Sequence, residues 1–244
     1  MFETLSTIAV TAGASLVIGF LACAMAQTPR GRLMTAGVLI AWFVLVLAIG
    51  AGGALDPARG LGVPGLGLSV VLPVVALVSA FVAFPPIRAA MLAMPLSALV
   101  AVNTVRVLGV IFVALYAAGR LPAPFAPSAG WGDIVTGLVA APLAWAIARF
   151  GARARMLALL WNVFGAADLV NAVALGALSA PGPLNAFPGP PTSAIMTGLP
   201  WLIIPGFLVP SLFFVHLVIF HRLLARTEAS DQAKGWISGH AKSA

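Results

Sequence analysis

Residues 157–178 read LALLWNVFGAADLVNAVALGAL, a stretch of 22 residues in which Asp168 is the one charged side chain. A helix needs about 20 predominantly apolar residues to cross the hydrocarbon core of a bilayer, so this stretch is typical of a transmembrane helix. Polar groups are costly at that depth, yet the stretch carries Asn162 and Asn171 as well as Asp168. It therefore predicts a membrane-spanning helix with a polar site inside it.

The rest of the chain has the same apolar character. Of its 244 residues, 61% are hydrophobic and 8% are charged, whereas roughly a quarter of the residues of a soluble domain are charged. We therefore exclude a water-soluble fold and predict an all-α, polytopic membrane helical bundle with seven transmembrane helices. The predicted spans are Leu5–Ala26, Leu33–Leu55, Leu66–Phe84, Leu96–Ala117, Gly132–Ala148, Leu157–Leu178 and Trp201–Leu223. They form one domain over residues 1–226, followed by a polar cytoplasmic tail over residues 227–244.

The basic residues between the spans indicate the orientation, because cytoplasmic loops carry an excess of Lys and Arg. Ten of them lie on one side of the predicted bundle and two, Arg59 and Arg120, lie on the other. The N-terminus is therefore predicted outside and the C-terminus in the cytoplasm. The ten are Arg30, Arg32, Arg88, Arg149, Arg153, Arg155, Arg222, Arg226, Lys234 and Lys242. Because they are scattered in small groups, the net charge of +7 does not indicate nucleic acid as a partner.

Two opposite charges fall at similar depths in the predicted spans. Arg106 in the fourth span and Asp168 in the sixth lie about 15–17 Å from the cytoplasmic ends, at a rise of 1.5 Å per residue. An ionisable group is costly inside a bilayer unless it is paired or hydrated. We therefore predict an Arg106–Asp168 ion pair near the bilayer centre.

Further polar side chains are predicted above and below this pair. On the cytoplasmic side, Asn103, Asn162 and His216 lie at a common height and form a predicted second polar layer. On the outer side, Asn171 and Asp133 lead away from the pair, with Asp133 at the outer end of the fifth span. These seven residues are the candidate substrate-binding or coupling site.

The polar site favours a carrier or permease-like protein that binds a small solute, with proton linkage. Arg106 would be the anion or counter-ion partner, Asp168 the switchable carboxylate and His216 a proton relay on the cytoplasmic side. An alternative is a non-transporting membrane subunit or sensor in which the Arg and Asp residues only hold helices together. The chain is small for a monomeric transporter, so we expect a homo-oligomer or a partner membrane subunit, in contact with membrane lipid.

An enzymatic function is the third and least favoured interpretation. The residues Gly130-Trp131-Gly132-Asp133 reproduce the Gly-x-Gly-Asp pattern of intramembrane aspartyl proteases, and Asp168 would be the second carboxylate. In presenilin-like proteases the other aspartate precedes this motif, whereas here no aspartate lies in the preceding span. The simpler interpretation places the two glycines in a turn, Trp131 in the interfacial belt and Asp133 at a helix N-cap.

Several kinds of cofactor chemistry lack the residues that they need. Retinal requires a buried lysine, and the lysines Lys234 and Lys242 lie in the tail. Bis-histidine haem requires two ligands at one height, and only His216 lies well inside the predicted spans. Cys23 is the only cysteine, so no thiolate cluster is expected. We expect neither a metal nor a cofactor.

The seventh span contains three regularly spaced prolines. Pro200, Pro205 and Pro210 recur every five residues ahead of His216. Proline removes a backbone donor and frees carbonyl groups, so this part of the span is predicted to be kinked or locally unwound. Broken helices of this kind line binding cavities in transporters.

The second half of the chain resembles a group of bacterial integral-membrane proteins of uncharacterised activity. The resemblance extends from Arg106 to Arg226 and implies a multi-pass protein of the bacterial inner membrane, without implying an activity. The residues that carry it are Arg106-Val107-Leu108-Gly109, Gly119-Arg120-Leu121-Pro122, Phe125-Ala126, Gly132-Asp133, Trp161-Asn162, Asp168-Leu169, Ile204-Pro205, Val209-Pro210 and His216.

Overall fold

The structure is a computed structural model that describes residues 1–58 and 60–240, with side chains described as far as residue 225. The described residues form an all-α protein. Its α-helices are α1 (Phe2–Ala24), α2 (Pro29–Ala51), α3 (Gly62–Ala83), α4 (Pro85–Ala93), α5 (Leu96–Ala101), α6 (Val110–Ala117), α7 (Phe125–Phe150), α8 (Arg155–Leu178) and α9 (Val209–His240). The orientation marker Arg59 and the side chains of Arg226, Lys234 and Lys242 lie outside the described part of the chain.

Six segments of the described chain are long and apolar enough to cross a membrane. One of them, Phe125–Leu178, has 54 residues and consists of α7 and α8, which meet at a short 3₁₀ turn, Gly151–Ala154. Gly151 adopts a left-handed backbone conformation with φ of 55°, and the two helices pack against each other. Counted separately, they make seven long helical segments, the number predicted from the sequence.

The predicted boundaries match these segments within four residues, except at the start of the fifth span. The fourth span matches Leu96–Ala117, in which α5 and α6 are joined by a 3₁₀ segment, Val102–Gly109. The short helix α4 was not predicted. It begins with Pro85 and Pro86, which are tolerated in a first turn because its N–H groups have no intrahelical partner.

The last span lies at the centre of the bundle. In its 18 most apolar residues, 61% of positions are buried, against 17% in both α2 and α3. Before α9 the chain forms a π-helical turn, Ile204–Leu208, which contains Pro205 and confirms the predicted local unwinding. The ring of Phe207 in this turn is fully buried and lies 4.4 Å from Trp42 and 5.4 Å from Phe43, between ring centroids.

Polar contacts tie helices together at the two ends of the bundle. At one end Arg120 forms an ion pair of 2.8 Å with Glu3, and its guanidinium lies 5.9 Å from the ring centroid of Trp201. At the other end Arg155 donates to the carbonyl of Leu223, and Arg222 donates to the carbonyl of Met94. The start of α8, the α4–α5 junction and α9 therefore meet at one end.

The central position of the last span predicts that its aromatic packing dominates stability. Phe207→Ala should lower the free energy of unfolding by about 3–5 kcal/mol, because it leaves a cavity against α2. Phe164→Ala is the matched control, since Phe164 lies on α8 with 47% of its surface exposed, and it should cost less than about 1 kcal/mol. Thermal unfolding in detergent would measure both, and equal losses would contradict the central placement.

Candidate functional site

Arg106 lies at the centre of a buried polar cluster. Its Nε donates to Asp133 Oδ1 at 2.6 Å and its Nη2 donates to Asp168 Oδ2 at 2.6 Å. Its Nη1 donates to the carbonyl of Gly165 at 2.8 Å and contacts His216 Nε2 at 3.1 Å. The arginine side chain is 1% exposed, so the whole guanidinium is removed from solvent. The predicted Arg106–Asp168 ion pair is present, and a second carboxylate shares the same cation.

Asp133 lies inside α7 and not at its end, so the predicted start of the fifth span at Gly132 was wrong. The helix begins at Phe125, because Pro127 falls in the first turn, where a missing N–H does no harm. Gly130 is therefore helical and not part of a turn, and Asp133 does not cap the helix. Asp133 comes eight positions after Phe125, which places this carboxylate about 12 Å into the helix at 1.5 Å per residue.

His216 is held in one tautomer by its neighbours. Its Nδ1 lies 2.7 Å from Asn162 Oδ1, and the Asn162 amide nitrogen donates to the backbone carbonyl of His216 at 3.1 Å. A guanidinium can only donate, so His216 Nε2 must accept from Arg106 and Nδ1 must carry the proton given to Asn162. The imidazole in this arrangement is neutral. Trp161 covers the ring, with 5.3 Å between ring centroids.

Two glycines make room for the cluster. A Cβ atom at Gly132 would overlap the carboxylate of Asp168, and one at Gly165 would lie 2.7 Å from Cε1 of His216. Both positions therefore need a residue without a side chain if α7, α8 and α9 are to approach this closely. The sequence predicted that Gly132 lies in a turn, so its contact with Asp168 was missed.

Arg106 itself lies in the 3₁₀ segment of the fourth span. A 3₁₀ stretch inside a longer helix changes the angle between successive side chains and often marks a functional position. The segment packs closely on α7, where a Cβ at Gly137 would lie 2.6 Å from the backbone nitrogen of Val107. This contact places the arginine against the buried side of α7, which explains how Asp133 reaches it.

The remaining predicted site residues lie apart from the cluster. Asn103 was predicted to join Asn162 and His216, but its amide donates to the carbonyl of Leu99 in the preceding helical turn, at 3.1 Å. Its Oδ1 is buried without a hydrogen-bond partner among the described residues. Asn171 is exposed and donates to Ser128 at 2.8 Å, on the outer side of the cluster. The second polar layer therefore consists of Asn162 and His216 only.

The cluster holds two carboxyl groups for one guanidinium. With both carboxyl groups ionised and His216 neutral, its formal charge is −1 (+1 from the guanidinium and −2 from the carboxylates). Arg106 uses four of its five N–H groups in the contacts above, so it has little capacity left for an external anion. The carboxylates are less enclosed, with side-chain exposures of 15% for Asp133 and 7% for Asp168. Among the described residues, no three His, Cys, Asp or Glu side chains converge as metal ligands.

Residues 63–224 match a protein family described as a domain of unknown function, DUF8737. The chain belongs to this family. The match covers 162 of 244 residues and includes every residue of the Arg106 cluster, whereas α1 and α2 precede it. The DUF8737 region also begins well before Arg106, where the resemblance seen in the sequence begins. No curated protein and no solved structure matches the chain.

The cluster predicts unequal effects of removing its charges. Arg106→Gln leaves two carboxylates without a counter-ion and should cost about 3–5 kcal/mol of unfolding free energy. Asp168→Asn should cost only about 1–3 kcal/mol, because Arg106 keeps Asp133 as its partner and the asparagine oxygen still accepts a hydrogen bond. Denaturant unfolding in detergent would compare the two variants, and equal losses would contradict this account of the charges.

Proposed function

We propose that this DUF8737 protein is a membrane carrier that binds a small cationic solute in exchange for a proton. The observation that carries the proposal is the sharing of one buried arginine by Asp133 and Asp168. A multi-pass membrane protein with a buried Arg, Asp and His cluster is established by the fold. The proposal concerns what that cluster does.

The charge of the cluster supports exchange of one positive charge for another. A carboxylate without a counter-charge is costly inside a membrane protein. The formal charge of −1 on the cluster therefore has to be balanced by a proton or another cation bound at the carboxylates. Replacing one by the other leaves the total charge unchanged. A carrier can therefore close its site to water whether a proton or the cationic solute is bound there. Coupled exchange requires that both forms can close.

The sequence left two roles open for Arg106, that of an anion partner and that of a counter-ion. We propose that Arg106 is the counter-ion. Its engagement with both carboxylates favours a positioning function, which keeps Asp133 and Asp168 side by side. His216 accepts from Arg106 through Nε2, so a proton added there would weaken that contact. The role of His216 as a proton relay stays a prediction and would require this contact to open.

The contacts at the two ends of the bundle support the proposed orientation. The N-terminal helix and Arg120 share one end through Glu3, while Arg155 and Arg222 lie at the end formed by Leu223 and Met94. We propose that the Glu3 end faces outside and the Arg155 end the cytoplasm, in the bacterial inner membrane. A homo-oligomer or a partner membrane subunit stays a prediction.

The proposal predicts that methylammonium displaces a proton from the folded protein. The purified protein in weakly buffered detergent solution should acidify the medium on addition of methylammonium chloride, because the cation takes the place of the proton at the carboxylates, and a pH-indicator dye would report the released proton. Leakage of the neutral free base does not contribute, because the solution contains no vesicles. Asp168→Asn and Asp133→Asn should each abolish the proton release.

Asp56→Asn is the matched control for this experiment. Asp56 lies in the loop between α2 and α3, where its carboxylate accepts from the Ala58 N–H at 2.8 Å, and an asparagine oxygen can do the same. This variant should keep the full proton release. A folded wild-type protein that releases no proton on addition of methylammonium would overturn the carrier proposal, as would a proton release unchanged by both cluster substitutions.

A purely structural role is the second candidate, favoured by the nearly complete use of the Arg106 donors. The cluster joins the fourth span to α7, α8 and α9, so it can serve to hold these helices together. In that case Arg106→Gln should prevent expression, and adding Asp133→Asn and Asp168→Asn should restore it, because the three charges are then removed together. Expression levels and unfolding of the single and triple variants would decide between this role and the carrier.

Both carboxylates of the proposed protease dyad are bound to Arg106. An aspartyl dyad shares a proton between its carboxyl groups and activates water, and two ion pairs to one guanidinium oppose that arrangement. We therefore favour no protease activity.

A further inference from the structure

An apolar cavity of about 410 Å³ lies beside the cluster. Cavities of roughly 300–1,000 Å³ accommodate small organic ligands. Its walls come from α3, α6, α7, α8, the 3₁₀ turn Ser193–Thr197 and the π-helical turn. The single polar side chain among its lining residues, Ser193, donates to the carbonyl of Gly176 at 2.6 Å and is already satisfied. The cavity therefore offers a hydrocarbon environment without a polar anchor of its own.

A much smaller space of about 30 Å³ separates this cavity from the charges. It is bounded by Arg106 and Asp133, and it shares Phe112, Ile204 and Val209 with the large cavity. A space of this size holds about one or two water molecules. A primary ammonium group is close to water in size, whereas a trimethylammonium group is far larger.

Asp133 is the carboxylate that faces this small space. Its Oδ1 is bound to Arg106, which leaves Oδ2 for another donor. An ammonium group there would balance the net charge of −1 that the cluster carries. A carboxylate or phosphate in the same place would add negative charge to two existing carboxylates.

The large cavity lies next to the surface that faces lipid. A second apolar cleft of about 330 Å³ lies between α3, α8 and α9 and shares Val70, Val173 and Val209 with it. The outer wall of this cleft includes Val71 and Val170, which are more than half exposed. The side chains between the cavity and the bilayer on this side are therefore apolar, which suits the entry of an alkyl chain.

We propose that this protein binds a single-chain lipophilic primary amine, with its ammonium group on Asp133 and its alkyl tail in the apolar cavity. The inference rests on the proposed cation exchange and names the class of solute that the site takes. The head group is selected by charge and by the size of the small space. The tail finds in the apolar cavity the same hydrocarbon environment as in the bilayer, so it can bind there without exposing apolar surface to water.

Binding of octylammonium to the full-length protein in lipid nanodiscs tests the proposal. Octylammonium is a suitable probe because an alkyl amine, like the lysine side chain, is positively charged at neutral pH. A ligand that binds the folded state raises its stability by an amount that grows with the logarithm of the ligand concentration over Kd. Octylammonium should raise Tm, and octyltrimethylammonium and octanoate should not. Asp133→Asn should weaken octylammonium binding by about tenfold or more.

A second pair of variants tests the tail. Ala172→Phe places a ring in the apolar cavity and should also weaken octylammonium binding by about tenfold, whereas Leu160→Phe on the lipid-facing side of α8 should not. Equal stabilisation by octyltrimethylammonium or octanoate would overturn the proposal, and so would full octylammonium binding in Asp133→Asn. If methylammonium releases a proton while octylammonium fails to bind, the proposed exchange is supported and the proposed solute class is wrong. If octylammonium binds while methylammonium releases no proton, the carrier proposal is wrong and the amine-binding site is supported.

Discussion

The fold depends on one buried cation and its two anions. Arg106 holds Asp133 of α7 and Asp168 of α8, and through Gly165 and His216 it also joins α8 to α9. Charged groups can remain inside a membrane protein only when their partners are present with good geometry. The relative positions of four helical segments are therefore set by a single guanidinium, whose planar fork fixes the directions of its partners.

Close approach of the helices is the second requirement for this arrangement. Glycine at positions 132, 137 and 165 removes the side chains that would otherwise hold α7 away from α8 and from the fourth span. In lipid, where apolar side chains gain little by leaving the hydrocarbon, small residues and buried polar contacts supply much of the association between helices. The glycines and the polar cluster therefore both contribute to the packing of these helices, and neither would hold the helices in place alone.

The spaces beside the cluster bear on the kind of solute that we propose for it. The carboxylate of Asp133 borders a small space that shares lining residues with a large apolar cavity, and that cavity shares lining residues with a cleft toward the lipid. Arg106 borders the same small space as the counter-ion of this carboxylate. Two carboxyl groups on one guanidinium, next to an apolar cavity, suit an amphiphilic cation better than an anion. The DUF8737 family description assigns no activity, so this geometry carries the functional proposal.

Sequence by itself determined the membrane class, the seven long helical segments and the matching depths of Arg106 and Asp168, because helix length and depth depend only on local apolar runs and a constant rise per residue. It could not determine that Asp133 joins the pair, since a proline and two glycines before it are also typical of a turn. Nor could it determine that Asn103 turns back to its own helix while Asn162 meets His216, because rotation of a helix about its axis is set by neighbouring helices. The formal charge of the site, and hence the sign of the solute that we propose, follows only from the tertiary contacts that bring the second carboxylate to Arg106.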